Sequence, residues 1–279
     1  MEKKKYSRVY VEITNICNRN CSFCPGTVRK KHKMTLSDFA SVAESLRGVT
    51  DYIYLHVMGE PLTHPDLRGI IECATEKGFK CAITTNGSLL NERRNDIIGS
   101  GLYKMNVSVH SFEDGEESDH LAYLSSICDF ATAACESGIL VVLRLWNRGA
   151  EDTLNDRTLE FLKSKLQGEW KWGSRGARLR HKLHLEYGDR FEWPDMEAED
   201  MGDSVFCYGL RDHFGILSDG RVIPCCLDRE GEITLGNILD TPIEQILASE
   251  RAEKMLRGFD CRRASEELCR KCGYARRFG

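Results

Sequence analysis

Through about the first two-thirds of the chain, short β-rich runs of apolar residues alternate with longer segments whose apolar positions recur at helical spacing. The runs fall at residues 8–14, 52–57, 80–84, 104–110, 139–146 and 182–187. Between the first two, Thr35 and Asp38 form a capping box, and Leu36, Phe39, Val42, Ala43 and Leu46 then repeat along one helical face. Further helices are predicted over 65–77, 89–100, 117–137 and 153–166. Six βα repeats with right-handed crossovers make an α/β chain, either a partial (βα)6 TIM-like barrel or a doubly wound sheet. In both, ligands gather at the C-terminal ends of the strands.

The pattern changes after residue 193. Residues 194–204 are acidic and polar, the composition of a linker, and divide the chain into units 1–195 and 196–279. Beyond them, apolar runs at 214–217 and 222–223 flank Asp219-Gly220, which predicts a β-hairpin with a tight primed turn. Thr241 and Glu244 then read as a second capping box, with Pro242 at the first helical position and Gly258 past the helix end.

Composition narrows the classes. With 279 residues, 41% of them hydrophobic, the chain is not disordered, and its net charge of -4 argues against a general nucleic-acid or membrane-surface binder. The longest apolar run, 138–143, ends at Arg144, far short of the roughly 18 residues of a membrane span. Arg8 and Glu12 interrupt any signal-peptide core, so a cytoplasmic location is expected. In a reducing compartment, thirteen cysteines call for a purpose other than disulfides.

Three of them, Cys17, Cys21 and Cys24, form C-x3-C-x2-C directly after the first strand, at the edge where an active site belongs. Three thiolates on a four-iron cluster leave one iron open; a zinc knuckle completed by His32 is the structural alternative. A second set is C-terminal: Cys207 and Cys225, then Cys269 and Cys272. Four thiolates saturate either a cluster or a zinc ion, a closed site suited to electron transfer or support. Cys73, Cys81, Cys128 and Cys135 fall within helices or strands and read as core filler. Cys226 and Cys261 stay open, as substitute ligands for Cys225 or as thiols donating a hydrogen atom to substrate.

The first loop, with Phe23 before its last cysteine, resembles that of the radical S-adenosylmethionine (SAM) superfamily. Met58-Gly59-Glu60-Pro61 after the second strand is similar to that family's GGEP motif, with Met58 replacing a glycine, and Thr84-Thr85-Asn86-Gly87 to the TNG ending its third strand. The resemblance implies a partial barrel holding SAM and an open 4Fe-4S cluster, with Phe23, Gly59, Glu60, Thr85, Asn86, Ser108, His110, Arg144 and Asn147 as cofactor contacts. Taken without it, Glu60 is a helix cap, Asn86-Gly87 a turn, and Ser108 and His110 strand-end structural residues. The C-terminal cysteines resemble the SPASM extension in its shortened twitch form, a small β-hairpin plus helix unit holding one auxiliary 4Fe-4S cluster. With the stretch 188–195 (GDRFEWPD), the spacings are most similar to those of the 2-deoxy-scyllo-inosamine dehydrogenase family.

The implied activity is reductive cleavage of SAM, abstraction of a substrate hydrogen and oxidation of an alcohol to a ketone, with the auxiliary cluster accepting an electron. A small-molecule substrate and a flavodoxin- or ferredoxin-type electron donor are the expected partners, with no nucleic acid and no membrane. The rivals are a peptide maturase or epimerase and a non-catalytic zinc-binding module. Arg190, just beyond the sixth strand, is the candidate substrate contact, or else an ion-pair partner of Asp189 or Glu192; Cys261 is a candidate catalytic thiol. The basic run 29–33 reads as a solvated lid or an attractor of anions.

Overall fold

The computed structural model of the chain describes residues 5–113, 115–150 and 154–278. Thr153, where the last helix of the repeats was expected to begin, lies outside them. The described strands are β1 (Arg8–Val11), β2 (Tyr52–Tyr54), β3 (Lys80–Thr85), β4 (Lys104–Ser108), β5 (Leu140–Arg148), β6 (Lys171–Gly173), β7 (Gly176–Arg180), β8 (Leu183–Asp189), β9 (His213–Ile216), β10 (Arg221–Ile223) and β11 (Gly236–Asn237). The helices are α1 (Leu36–Ser45), α2 (Leu67–Glu76), α3 (Arg94–Ile97), α4 (Glu117–Glu136), α5 (Asn155–Lys165), α6 (Ile243–Leu247), α7 (Glu250–Asp260) and α8 (Glu267–Arg270).

All eleven strands join one open sheet, ordered β11-β10-β9-β1-β2-β3-β4-β5-β8-β7-β6. Its centre is the expected set of six, β1 to β5 and β8, paired in parallel. Alternate positions explain how the sheet closes. Val9, Val11, Ile53, Cys81, Ile83, Met105, Val107, Val141, Leu143, Leu183 and Leu185 share one face, buried in a core with Phe39, Ile70, Phe130 and Leu162 of the helices. The intervening positions are mostly polar, with Arg8, Tyr10, Tyr54, Thr84, Lys104, Asn106, Ser108, Arg144, His184 and Glu186 interrupted by Ala82 and Val142. A parallel sheet covered by helices on both faces carries aliphatic residues on both; here only one face is covered. Arg8 on β1 and Lys104 on β4 would stand about 14 Å apart across a flat sheet, yet Lys104 feels the Arg8 charge. The sheet is therefore curled around its polar face, an α/β partial barrel with a hydrophilic lumen.

Several local expectations change. Helix 89–100 shrinks to α3, because Thr85 and Asn86 side chains capture the Gly87 and Ser88 backbone N–H groups and hold the preceding stretch as a turn. Residues 242–257 are two helices. Pro242 precedes α6 with no side-chain cap, so Thr241 and Glu244 form no capping box. Ser249 caps α7 through the Ala252 N–H, and Gly258 lies inside α7. In the hairpin, Gly220 has φ +86 but Asp219 is not left-handed, so the turn is not of the primed type; a glycine closing the loop as a G1 bulge fits instead. The strands β6 and β7 were not foreseen, since β6 is exposed along its length and carries no apolar period.

The hairpin strand β9 pairs in parallel with β1, and Phe214 packs edge-on against Tyr6 at 4.9 Å. Residues on both sides of the expected linker thus share one sheet and one core. The expected pair of units 1–195 and 196–279 is not separated by a break in packing.

Candidate active site

The loop carrying Cys17, Cys21 and Cys24 leaves β1 at Glu12 and returns to α1. Its neck is closed by main-chain bonds between Asn15 and His32 and between Met34 and Ile13. The Asn15 amide reinforces it, accepting from His32 N at 2.7 Å and donating to Lys30 O at 2.9 Å. Beneath it lies a buried ion pair, in which Arg29 donates through both terminal nitrogens to Glu12 at 2.8 and 2.7 Å. Glu12 also accepts from Met58 N and Ser218 N, and Arg29 donates to Arg229 O at 2.7 Å. Arg29 is thus neither lid nor anion attractor. It was hidden in the sequence within a basic run, and its partner Glu12 sits seventeen residues away inside an apolar strand.

Gly59 explains the glycine of its motif. Its φ is +78, and a Cβ there would stand 2.4 Å from the Thr14 carbonyl oxygen, so only glycine lets β2's exit lie against the loop. Glu60 N donates to Ile16 O at 2.9 Å. The Glu60 carboxylate accepts from Leu62 N at 3.0 Å and Asn86 N at 2.7 Å, tying the ends of β2 and β3 together. It caps the 3-10 turn Pro61–Thr63 rather than a helix at Pro65. Burial outweighs these bonds and pushes its pKa up to about 7.

The other rim residues follow. Asn86 Nδ2 reaches Cys17 Sγ at 3.9 Å and Asn18 Oδ1 at 3.0 Å. Thr85 is buried and serves the Gly87 N–H, while Tyr123 donates to Asn86 O at 2.6 Å. Cys21 lies against Ser111 O, and Ser22 is held by Glu113 through its backbone N–H and hydroxyl at 2.6 and 2.5 Å. Phe23 packs on His110 with ring centres 4.7 Å apart, and Trp193 donates to Phe23 O at 3.1 Å. Ser108 is half-buried at the end of β4. Cys17 is exposed, Cys21 and Cys24 half-buried, and His32 is exposed.

The loop thiols interact with one another. Burial, Glu113 and the other two cysteines push the Cys21 thiol up to about 12, and burial raises Cys17. Three adjacent thiolates require a strong positive charge among them. Among the described residues, however, no three Cys, His, Asp or Glu side chains converge on the position of a single ion. His32 is exposed on the far side of the neck, and three thiols on one short loop are the donor chemistry that fits an iron-sulfur cluster with one iron open.

The second set meets the same test more fully. Cys207, Cys225, Cys269 and Cys272 line one cavity, otherwise walled by Val205, Ile233, Met255, Phe259 and Leu268. Burial, then the neighbouring thiols, raises Cys225 and Cys269 well above the usual thiol range. Asp228, missed in the sequence, folds the loop beyond Cys225 by accepting from the N–H groups of Gly231, Glu232 and Ile233. Four sulfurs around an apolar cavity that no single ion unites fit a 4Fe-4S cluster.

Three expected contacts lie elsewhere. Arg190 is exposed, its N–H bonded to Arg148 O; Asp189 pairs with Arg148, so Arg190 joins neither the lumen nor the ion pairs considered for it. Asn147 accepts from Asn155 and fastens β5 to α5. Cys261 is exposed at the end of α7, outside the cavity of the four cysteines. Arg144 points into the lumen, among Tyr10, Tyr54, Glu186 and Tyr274. Cys226 also faces the lumen, beside Tyr10. As expected for filler, Cys81, Cys128 and Cys135 are buried, and Cys73 is half-buried against the core.

Residues 11–144 match the radical SAM superfamily, and residues 207–273 match SPASM, an iron-sulfur cluster-binding domain. A probable GTP 3',8-cyclase of Methanocella arvoryzae is 23% identical over 281 residues, covering 88% of this chain and 89% of that protein. An S-adenosyl-L-methionine-dependent 2-deoxy-scyllo-inosamine dehydrogenase of Niallia circulans is 30% identical over 116 residues, 39% of this chain and 46% of that protein. The crystal structure of BtrN in complex with AdoMet and 2-DOIA has a TM-score of 0.61 at 20% identity, covering 96% of this chain and 93% of that one. At that identity the likeness shows the fold alone. No helix among the described residues is long and apolar enough to cross a membrane.

Proposed function

Because the chain is a radical SAM enzyme carrying a SPASM domain, a pairing that implies SAM and two 4Fe-4S clusters, we propose that it oxidises an alcohol carbon of a small molecule to a ketone. Cys17, Cys21 and Cys24 would hold the open cluster, and Cys207, Cys225, Cys269 and Cys272 the auxiliary one. Bound there, these groups supply one-electron cleavage of SAM, abstraction of a substrate hydrogen atom, and a sink for the second electron.

The chain's own residues position and enclose. In this reading Gly59, Glu60 and Asn86 hold the first loop against the ends of β2 and β3, and Phe23, Thr85, Ser108 and His110 complete the SAM-facing rim. The lumen behind it receives the substrate. There burial and Arg144 push His56 down to about 3, so a neutral imidazole offers the buried, unpartnered Nδ1 to a substrate hydroxyl. We place the functional boundary at 195/196, with the second unit supplying one wall of the lumen through Cys226 and Tyr274. A flavodoxin- or ferredoxin-type protein would deliver the first electron.

The observation that carries this reading is the cavity lined by four cysteines. A cluster saturated by protein thiols has no iron left for substrate, which leaves it electron transfer or support, and the dehydrogenase reading takes the first. The 30% identity to the Niallia circulans dehydrogenase supports the same reaction class. Anaerobic reconstitution tests it: about eight iron per chain are expected, falling to about four when Cys17, Cys21 and Cys24 are all alanine, with 5′-deoxyadenosine formed only by the parent. About four iron falling to none would rule out the auxiliary cluster and with it the dehydrogenase.

Epimerisation, including of a peptide, is the second reading, favoured by the Cys226 thiol in the lumen. Solvent deuterium entering the product, and lost in Cys226→Ala, would establish it in place of oxidation.

A further inference from the structure

The lumen holds more positive charge than the chain neutralises. Arg8, Lys104 and Arg144 face one another across it. Arg8 has a close counter-charge, its Nη2 donating to Asp212 at 3.0 Å, although its Nε is buried without a partner. Arg144 has only Glu186, 3.7 Å from its Nε, a separation too long for a hydrogen bond. Its Nε is buried without a partner, and among the described residues no hydrogen bond is donated by its guanidinium. Lys104 forms no ion pair among the described residues, and the carboxylate whose charge it feels is the same Glu186. Two cations therefore share one distant counter-charge.

The surroundings fix where an acceptor would sit. The Arg144 guanidinium carbon lies over the Trp146 ring, 4.2 Å from its centre, and the Trp146 indole N–H is likewise buried and unpartnered. Two neighbouring buried donors without acceptors are a standing cost in the empty site, removed when an acceptor arrives. Arginine held by stacking presents a planar fork that matches a carboxylate or a phosphate. The Arg144 charge also reaches His56 and His110, so the fork stands in the lumen beside the rim.

We infer that the substrate carries an anionic group, a carboxylate or a phosphate, bound in the lumen by the Arg144 fork with Lys104 beside it. This deepens the dehydrogenase reading and rests on it for taking the lumen as the substrate chamber. The test is isothermal titration of reconstituted, SAM-saturated holoprotein with glucose 6-phosphate, glucuronate and glucose. The phosphate or the carboxylate sugar, depending on the source of the anion, is expected to bind at least about tenfold more tightly than glucose, the worth of one charge-assisted hydrogen bond. Arg144→Met and Lys104→Met should each erase that preference with iron content and SAM affinity unchanged. Glu186→Gln should tighten anion binding several-fold, a gain that misfolding cannot imitate. Equal binding of all three sugars, no anion binding, or indifference to Glu186→Gln overturns the inference. So does loss of SAM affinity in Arg144→Met at full iron content, which would assign the fork to the cofactor. The titration needs no turnover, so failure of the parent protein to cleave SAM, which would overturn the enzymatic reading, is a separate result.

Discussion

Glu60 is a carboxylate held where water cannot reach it, between two backbone N–H groups that favour its charge and a burial that opposes it more strongly. With its folded pKa raised to about 7, the native state keeps a proton that the unfolded chain releases near pH 4.5. The stability this gives is complete below the unfolded pKa and is lost as pH climbs through 7, about 3 kcal/mol in all. Denaturant unfolding between pH 5 and 8 should show that slope, and Glu60→Gln should flatten it while removing one acceptor from an N–H. The motif around Glu60 was legible because glycine, acid and proline in fixed order leave a local trace. Arg144 was also visible as a rim residue, but its target was not, since a strand position says which face a side chain occupies and not what it meets across the lumen. For Arg190 even the face failed, because the chain leaves the sheet at Asp189.

At the scale of elements, the six central strands and the capped helix α1 were legible: each buries one face, and burial writes a period into the sequence. Elements without a buried face, such as β6, or displaced by side-chain to backbone bonds, such as the shortened α3, left none. The tie between elements was equally silent. Glu12 and Arg29 join the exit of β1, the neck of the cysteine loop, the end of β2 and the β9–β10 turn. Arg29→Met should cost about 3–5 kcal/mol by leaving a buried carboxylate unpaired, read by chemical denaturation of the apo-protein. Arg29→Lys should recover only part, because an ammonium cannot serve both carboxylate oxygens. A loss below about 1 kcal/mol for Arg29→Met would mean that the neck of the loop stands without the pair.

At the scale of the molecule, the expected split after residue 195 follows a real change in composition, and across it β9 pairs with β1. Composition marks where a chain turns polar; it does not report which edge of a sheet a later strand completes. A protein cut after residue 195 would bare the backbone of β1 and the aliphatic face containing Val9 and Val11. It should show no cooperative thermal transition and should associate in solution, measured by calorimetry and light scattering, whereas the full chain should unfold in one step. An independent, monomeric 1–195 fragment would restore the picture of two separable units.

The pairing of β1 with β9 also sets an order on biosynthesis. Arg8 to Val11 leave the ribosome long before their partners, His213 to Ile216. Contacts so distant in sequence form late. Until then Glu12 lacks the Ser218 N–H, and Arg29 lacks the Arg229 carbonyl. The nascent chain therefore displays Cys17, Cys21 and Cys24 on an unfinished strand until residues 213–218 have been made. A chain that has not yet made β9 thus carries its cysteine loop on a neck that the later residues still have to finish.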